Sequence, residues 1–121
     1  MARKVLVVSD GAINEKTIGD ELEDLQGEVD GYIQTTYFGE KLAERKISLI
    51  FNEDGKMIGL PPTIALVEDG ELIDVIVGNV VICSSDATSF GSINESQKDF
   101  IKKELAPALF TNGQIGFVFN V

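Results

Sequence analysis

Apolar and polar positions alternate along most of this chain, and the period of the alternation changes from segment to segment. Val5 and Val7 share one parity and Leu6 and Val8 the other, between Lys4 and Ser9. Apolar side chains on both parities predict an interior strand covered on each face. Asp10-Gly11 predicts a turn, with a short strand returning over residues 15–18. Residues 20–30 carry helical spacing instead, with Leu22, Leu25 and Val29 at i, i+3 and i+7. Asp20 suits the N-cap, Glu23 the N3 position of a capping box, and Gly31 the helix end. Gly27 inside that helix costs about 1 kcal/mol relative to alanine. Residues 32–38 (YIQTTYF) are aromatic and β-branched and predict a strand. Tyr32 and Tyr37 differ in parity there, so they form no common stacking platform. Residues 39–46 predict a polar loop, its Lys41, Arg45 and Lys46 neutralised by local salt bridges.

The stretch ISLIFNEDGKMIGLPP, residues 47–62, predicts a β-hairpin: an alternating strand, a turn over Asn52-Glu53-Asp54-Gly55, and a return through Lys56 to Leu60. Pro61 and Pro62 donate no backbone N–H and are expected to stop the ladder. Residues 63–66 are expected to be a helical turn or irregular, and residues 68–71 (EDGE) a turn. The most apolar segment, residues 72–84 (LIDVIVGNVVICS), is read as two extended pieces meeting at Gly78. Asp74 lies among apolar neighbours and is expected to be partly buried, accepting backbone hydrogen bonds. Residues 84–93 form a small-residue loop without phosphate-cradle spacing. Asn94 and Gln97 are the two members of a capping box opening a second helix; Phe100, Ile101 and Leu105 give it an apolar face, and Pro107 follows its end. From Gln114 to Val121 the chain again alternates, placing Ile115, Phe117, Phe119 and Val121 on one face after an Asn112-Gly113 turn. Such an apolar strand must be paired: it completes the sheet or, alternatively, mediates a homodimer. The order of elements, with a hairpin and no strict βαβ alternation, predicts a single α+β domain with a mainly antiparallel or mixed sheet and two helices.

Several stretches together resemble the DUF3846 family of small proteins from bacteria, phages and mobile elements. Asn52 through Pro62 (NEDGKMIGLPP) is similar to the family's central signature, and Lys4 to Val8 to its opening strand. Leu25-Gln26 with Gly31-Tyr32-Ile33, and Asp74 through Gly78, follow in the family's order. The resemblance covers residues 3–105; residues 106–121 are a C-terminal extension ending in a strand. Asp30 stands where relatives often carry a second glycine, and Thr63-Ile64 where an Asn-Arg pair is common. The resemblance implies a fold and a mobile-element setting and carries no activity with it.

Composition narrows the chemistry. The chain has 121 residues, one Cys and no His, which removes Ser-His-Asp and Cys-His catalysis and His-ligated zinc. Cys83 ends an apolar run and reads as a small buried hydrophobe in a reducing compartment. No apolar run approaches the roughly 20 residues of a membrane span, and the N-terminal apolar block is too short for a signal peptide; a cytoplasmic protein is expected. Twenty acidic against ten basic residues give a net charge of −10, which disfavours nucleic acid and anionic membranes and favours basic partners.

Three functions follow as expectations. The first is a non-enzymatic accessory protein of a phage or mobile element that binds a basic host protein, in the manner of anti-restriction or anti-CRISPR proteins, through Glu21, Glu23, Asp24, Glu28 and Asp30 on the acidic helix. The second is a small-ligand binding module with its pocket at Gly59, Leu60, Pro61, Pro62, Asp74 and Gly78. The third, an enzyme using Asp74 with Lys56 or Tyr32, has no supporting spacing. No metal and no cofactor is expected.

Overall fold

A computed structural model describes residues 2–36, 39–85 and 89–121. Tyr37 and Phe38 of the expected strand over 32–38, and residues 86–88 of the small-residue loop, lie outside the described residues. In chain order the elements are β1 (Ala2–Ser9), β2 (Ala12–Gly19), α1 (Leu22–Val29), β3 (Ile33–Thr36), α2 (Gly39–Glu44), β4 (Ile47–Asn52), β5 (Pro62–Glu68), β6 (Glu71–Val77), β7 (Val80–Ser85), β8 (Phe90–Gly91), α3 (Glu95–Glu104), β9 (Ala106–Leu109) and β10 (Ile115–Asn120). Together they make the expected α+β domain.

The strands divide between two sheets. The first has the order β2-β1-β7-β4-β3, with β8 attached to β7, and all its pairings are antiparallel. The second has the order β6-β5-β10-β9 and is mixed, because β10 runs parallel to β5. Strand parity explains how they stack. Leu6 and Val8, Ile47 and Leu49, and Val80 and Ile82 point from the first sheet into a core shared with Ile64, Leu66, Ile76, Phe117 and Phe119 of the second, and with Phe100, Ile101 and Leu105 of α3. The opposite parity, Val5, Val7, Ile50, Val81 and Cys83, packs under Leu25 and Val29 of α1. The first sheet is therefore covered on both faces, which is what two apolar parities in β1 require. Cys83 is fully buried there, and burial pushes its thiol up to about 12, so it stays a protonated, inert hydrophobe at neutral pH.

Several expectations change. The hairpin over residues 47–60 does not form: β4 and β5 belong to different sheets. Residues 53–60 wind instead, with Ile58 N–H donating to Asp54 O (3.0 Å) and Leu60 N–H to Gly55 O (2.9 Å), and Met57 is 88% exposed with no strand to pack on. The cause is Asn52. Its Oδ1 accepts from Asp54 N–H (2.7 Å), turning the chain, and its Nδ2 donates to Val29 O and Asp30 O (both 3.1 Å), fastening the turn to the end of α1. Pro62 starts a strand rather than stopping one, a position where a missing N–H is tolerated. Residues 63–66 are thus the interior of β5. Residues 39–46, expected as a loop, contain the third helix, α2, held by the buried Leu42. Helix α1 is capped one residue later than expected, with Glu21 at the N-cap and Asp24 at N3, where Asp24 Oδ2 accepts from Glu21 N–H (3.0 Å). The left-handed residue that ends it is Asp30 (φ 59°), not Gly31. Gly31 is needed for closeness: a β-carbon there would lie 2.5 Å from Asn52 Nδ2.

The second capping box forms as read. Asn94 Oδ1 accepts from Gln97 N–H (2.8 Å) and Gln97 Oε1 from Asn94 N–H (3.0 Å). The Gln97 amide also donates to Arg45 O (2.9 Å), tying the start of α3 to the chain after α2. One turn on, Lys98 reaches Glu15 of β2 (2.8 Å) and Glu95 (2.6 Å). Of the basic island, Lys41 pairs with Glu104 (3.5 Å), whereas Arg45 lies over the Phe100 ring, 4.1 Å from its centroid. The terminal strand β10 lies between β5 and β9, so both its edges are hydrogen-bonded within the chain. Among the described residues no helix is long and apolar enough to cross a membrane.

Two outcomes follow from this packing. Phe119 is 2% exposed at the centre of the second sheet, so Phe119→Ala should lower the unfolding free energy by about 3–5 kcal/mol, read from urea denaturation. The hydrogen bond and charge of Lys98 hold the Glu15 carboxyl below its ordinary value of 4.5. A lowered folded pKa contributes stability that is present above the ordinary value and lost as pH falls through the folded one. The gap in Tm between wild type and Glu15→Gln should therefore narrow on acidification below that value, followed by thermal unfolding across pH.

Candidate functional site

The passage from β6 to β7 takes two residues, Gly78 and Asn79, and crosses from one sheet to the other. Gly78 makes the crossing in the left-handed region (φ 76°), and a β-carbon there would stand 2.7 Å from Leu60 Cδ1. Its N–H donates to Pro61 O (2.8 Å), and its carbonyl accepts from the Thr63 hydroxyl. Asn79 Nδ2 donates to Glu28 O (3.1 Å) at the end of α1. The Leu-Pro-Pro corner, the sheet crossing and the end of α1 are thereby fixed to one another.

Around this junction lies an open cleft of about 450 Å³, within the size range of small-molecule sites, roughly 300–1,000 Å³. One wall is Leu60, Pro61, Pro62 and Thr63 with Gly78 and Asn79; another is Val29 and Asp30 at the end of α1; the third joins Ser9-Asp10-Gly11 of the β1–β2 turn to Gln114 and Ile115 at the start of β10. Pro61, Pro62 and Gly78 have restricted or special backbones, so this wall is stiff. Asp10 and Asp30 both hold left-handed backbone (φ 49° and 59°) and are exposed, a conformation aspartate tolerates better than most residues. Among the described lining residues they supply the ionisable side chains.

The structure brings together four of the six residues expected at a ligand pocket: Leu60, Pro61, Pro62 and Gly78. Gly59 and Asp74 do not line this cleft. Asp74 belongs to a smaller recess of about 180 Å³ between β6 and the winding segment, where it meets Lys56 at 2.5 Å. Lys56, with Val75 N–H (2.7 Å) adding to it, holds the Asp74 carboxyl below its ordinary value against partial burial. The expected backbone hydrogen bond to Asp74 is thus present, and Lys56 is bound in an ion pair. Tyr32 is 69% exposed and lines neither space.

The five acidic residues of α1 divide by role. Asp24 caps the helix. Glu28 is clasped by Lys16, whose ammonium lies 2.6 and 2.8 Å from its two carboxylate oxygens. Asp30 is among the residues lining the cleft. Glu21 and Glu23 remain exposed at the helix start. The cleft residues that sequence reasoning does not reach include Asp10, Thr63, Asn79, Gln114 and Ile115. Asp10-Gly11 and Gly78-Asn79 carry turn or break signals, but nothing local to either segment points to the other. Among the described residues no group of three or more His, Cys, Asp or Glu side chains is placed to hold a metal.

Fold and site define a small α+β domain of two stacked sheets with a cleft where the chain crosses between them. The chain belongs to the DUF3846 family, a domain of unknown function whose family model matches residues 2–106. That match reaches the first residue of β9, so β10 and the cleft residues Gln114 and Ile115 lie beyond it. No curated protein and no solved structure matches the chain.

The junction rests on Asn52, which is 5% exposed and makes three hydrogen bonds through its side chain. Asn52→Ala should lower the unfolding free energy by about 1–3 kcal/mol through unsatisfied carbonyls at the end of α1. The urea midpoint measures it; an unchanged midpoint would show that α1 and the winding segment are held together by other means.

Proposed function

We propose that this protein is a binding protein whose site is the cleft at the sheet crossing, and that it takes a small ligand there. The observation that carries this reading is the convergence of five separate segments on one open space of about 450 Å³ with a stiff wall. Pockets that bind small molecules combine such a pre-formed concave surface with a few polar groups, here Asp10, Asp30, Asn79 and the backbone of the turns. A site of this kind recognises by shape and charge without a covalent step.

The reading of the acidic helix as a contact face for a basic host protein, in a phage or mobile-element setting, draws support from the net charge of −10. It is weakened by the internal engagements of Asp24 and Glu28. Reversing both charges would unsettle α1 itself, so loss of a partner on such a variant would not separate the two causes.

The test is a metabolite screen by thermal shift on wild type and on Gln114→Trp, which fills the cleft mouth from an exposed position. A ligand at 100 times its Kd stabilises the folded state by roughly 2.7 kcal/mol, a rise of several degrees in Tm for a domain of this size. The expected result is a hit whose shift disappears in Gln114→Trp. A hit that survives the substitution, or a screen with none, counts against the cleft and turns attention to the acidic face.

A further inference from the structure

The cleft also carries a sign. Asp10, in the β1–β2 turn, and Asp30, at the end of α1, both line it, and neither carboxylate has an ion-pair or hydrogen-bond partner among the described residues. This sets them apart from Glu15, Glu28 and Asp74, each of which meets a lysine within 3 Å. No lysine or arginine is among the described residues that line the cleft. The last carbonyls of helix α1 at the same end are already hydrogen-bonded, Glu28 O by Asn79 and Val29 O and Asp30 O by Asn52, so the sign of the cleft comes from the two aspartates. Leu60, Pro61, Pro62 and Ile115 add apolar surface beside the uncharged polar Thr63, Asn79 and Gln114.

We infer that the cleft takes a small organic cation, an ammonium group on a short apolar body. The inference rests on the reading of the cleft as the binding site. An ammonium in the cleft gains charge-assisted hydrogen bonding from carboxylates that no lysine or arginine neutralises, while its body covers Leu60 and Ile115, the latter 57% exposed without it. A carboxylate or phosphate ligand would meet two like charges. A hard metal ion wants six or more oxygens around it, and among the described residues no third acidic side chain is placed to join the two aspartates. The overall charge of −10 raises the local concentration of any cation before it docks.

The experiment is a ¹H–¹⁵N NMR titration of the full chain with three probes of one length at fixed ionic strength: hexylammonium chloride, sodium hexanoate and hexanol. Hexylammonium should shift the amides of Gly11, Asp30, Asn79 and Ile115, and raising the salt concentration should weaken it. The double variant Asp10→Asn with Asp30→Asn should bind it about fivefold or more weakly, the scale of two partly exposed charge contacts. Asparagine accepts the same left-handed backbone, so the variant's spectrum away from the cleft should match wild type; if it does not, the salt dependence of the wild type decides alone. Hexanol or hexanoate binding as tightly at the same amides would overturn the cationic class and leave the cleft as the site. No shift at those amides with any probe would overturn the cleft reading and this inference with it.

Discussion

Everything near the site follows from how sharply the chain passes between its two sheets. A strand leaving one sheet and entering another within two residues must turn hard, and only a backbone in the left-handed region turns that hard here. Gly78 takes that conformation (φ 76°), which would strain a residue carrying a β-carbon, and the Leu60 side chain packs against it. The hydrogen bonds from Gly78 N–H to Pro61 O and from the Thr63 hydroxyl to Gly78 O then close the corner on both sides. The cleft lies at that corner, where the Leu60–Thr63 segment and Gly78-Asn79 meet the end of α1, the β1–β2 turn and the start of β10.

The first sheet supplies the rigidity that holds the corner. It is covered by α1 on one face and by the second sheet and α3 on the other. Its buried polar groups are satisfied by pairing. Arg3, 5% exposed, donates to Gly19 O (2.8 Å), Glu21 O (3.0 Å) and Phe90 O (3.2 Å), and so ties the end of β2, the start of α1 and β8. Ser48 and Ser85 share a hydrogen bond (2.8 Å) between β4 and β7. A guanidinium with fixed donors at fork spacing suits a meeting point of three carbonyls better than an ammonium would. The placement of Asp30 on the cleft wall descends from this: the sheet positions α1, and α1 positions its own last residue.

Features written in neighbouring residues are legible in the sequence alone. The doubly apolar β1, the Asn94–Gln97 capping box and the alternating β10 each depend on side chains within one or two turns of one another. The α1 cap differs from its expected place by one residue because Asp20, Glu21, Glu23 and Asp24 all carry cap-competent side chains, and local chemistry does not choose among them. The hairpin expected over residues 47–60 fails for a deeper reason. Asn52 and Gly55 suit a tight hairpin and a wound turn equally, and what decides is Asn52 reaching carbonyls at the end of α1, more than 20 residues earlier in the chain. The site divides in the same way. Pro61 and Pro62 declare themselves by restricted backbones and Gly78 by the freedom of its own; Asp10 and Asn79 carry only local turn signals, and they, with Gln114 and Ile115, matter through where the sheets put them.

The parallel pairing of β10 with β5 bears on how the molecule comes together in time. The pairs β1–β2, β5–β6 and β9–β10 join chain neighbours through short turns and close quickly. Phe117 opposite Ile64 joins residues nearly half the chain apart, and such a closure gains its contacts only after the entropy of the intervening loop is lost. The second sheet therefore has a slow joint between two fast hairpins. Until that joint closes, β5 has a free edge and the aromatic side chains of β10 have no core, which makes the half-assembled chain the species most exposed to association with its own copies.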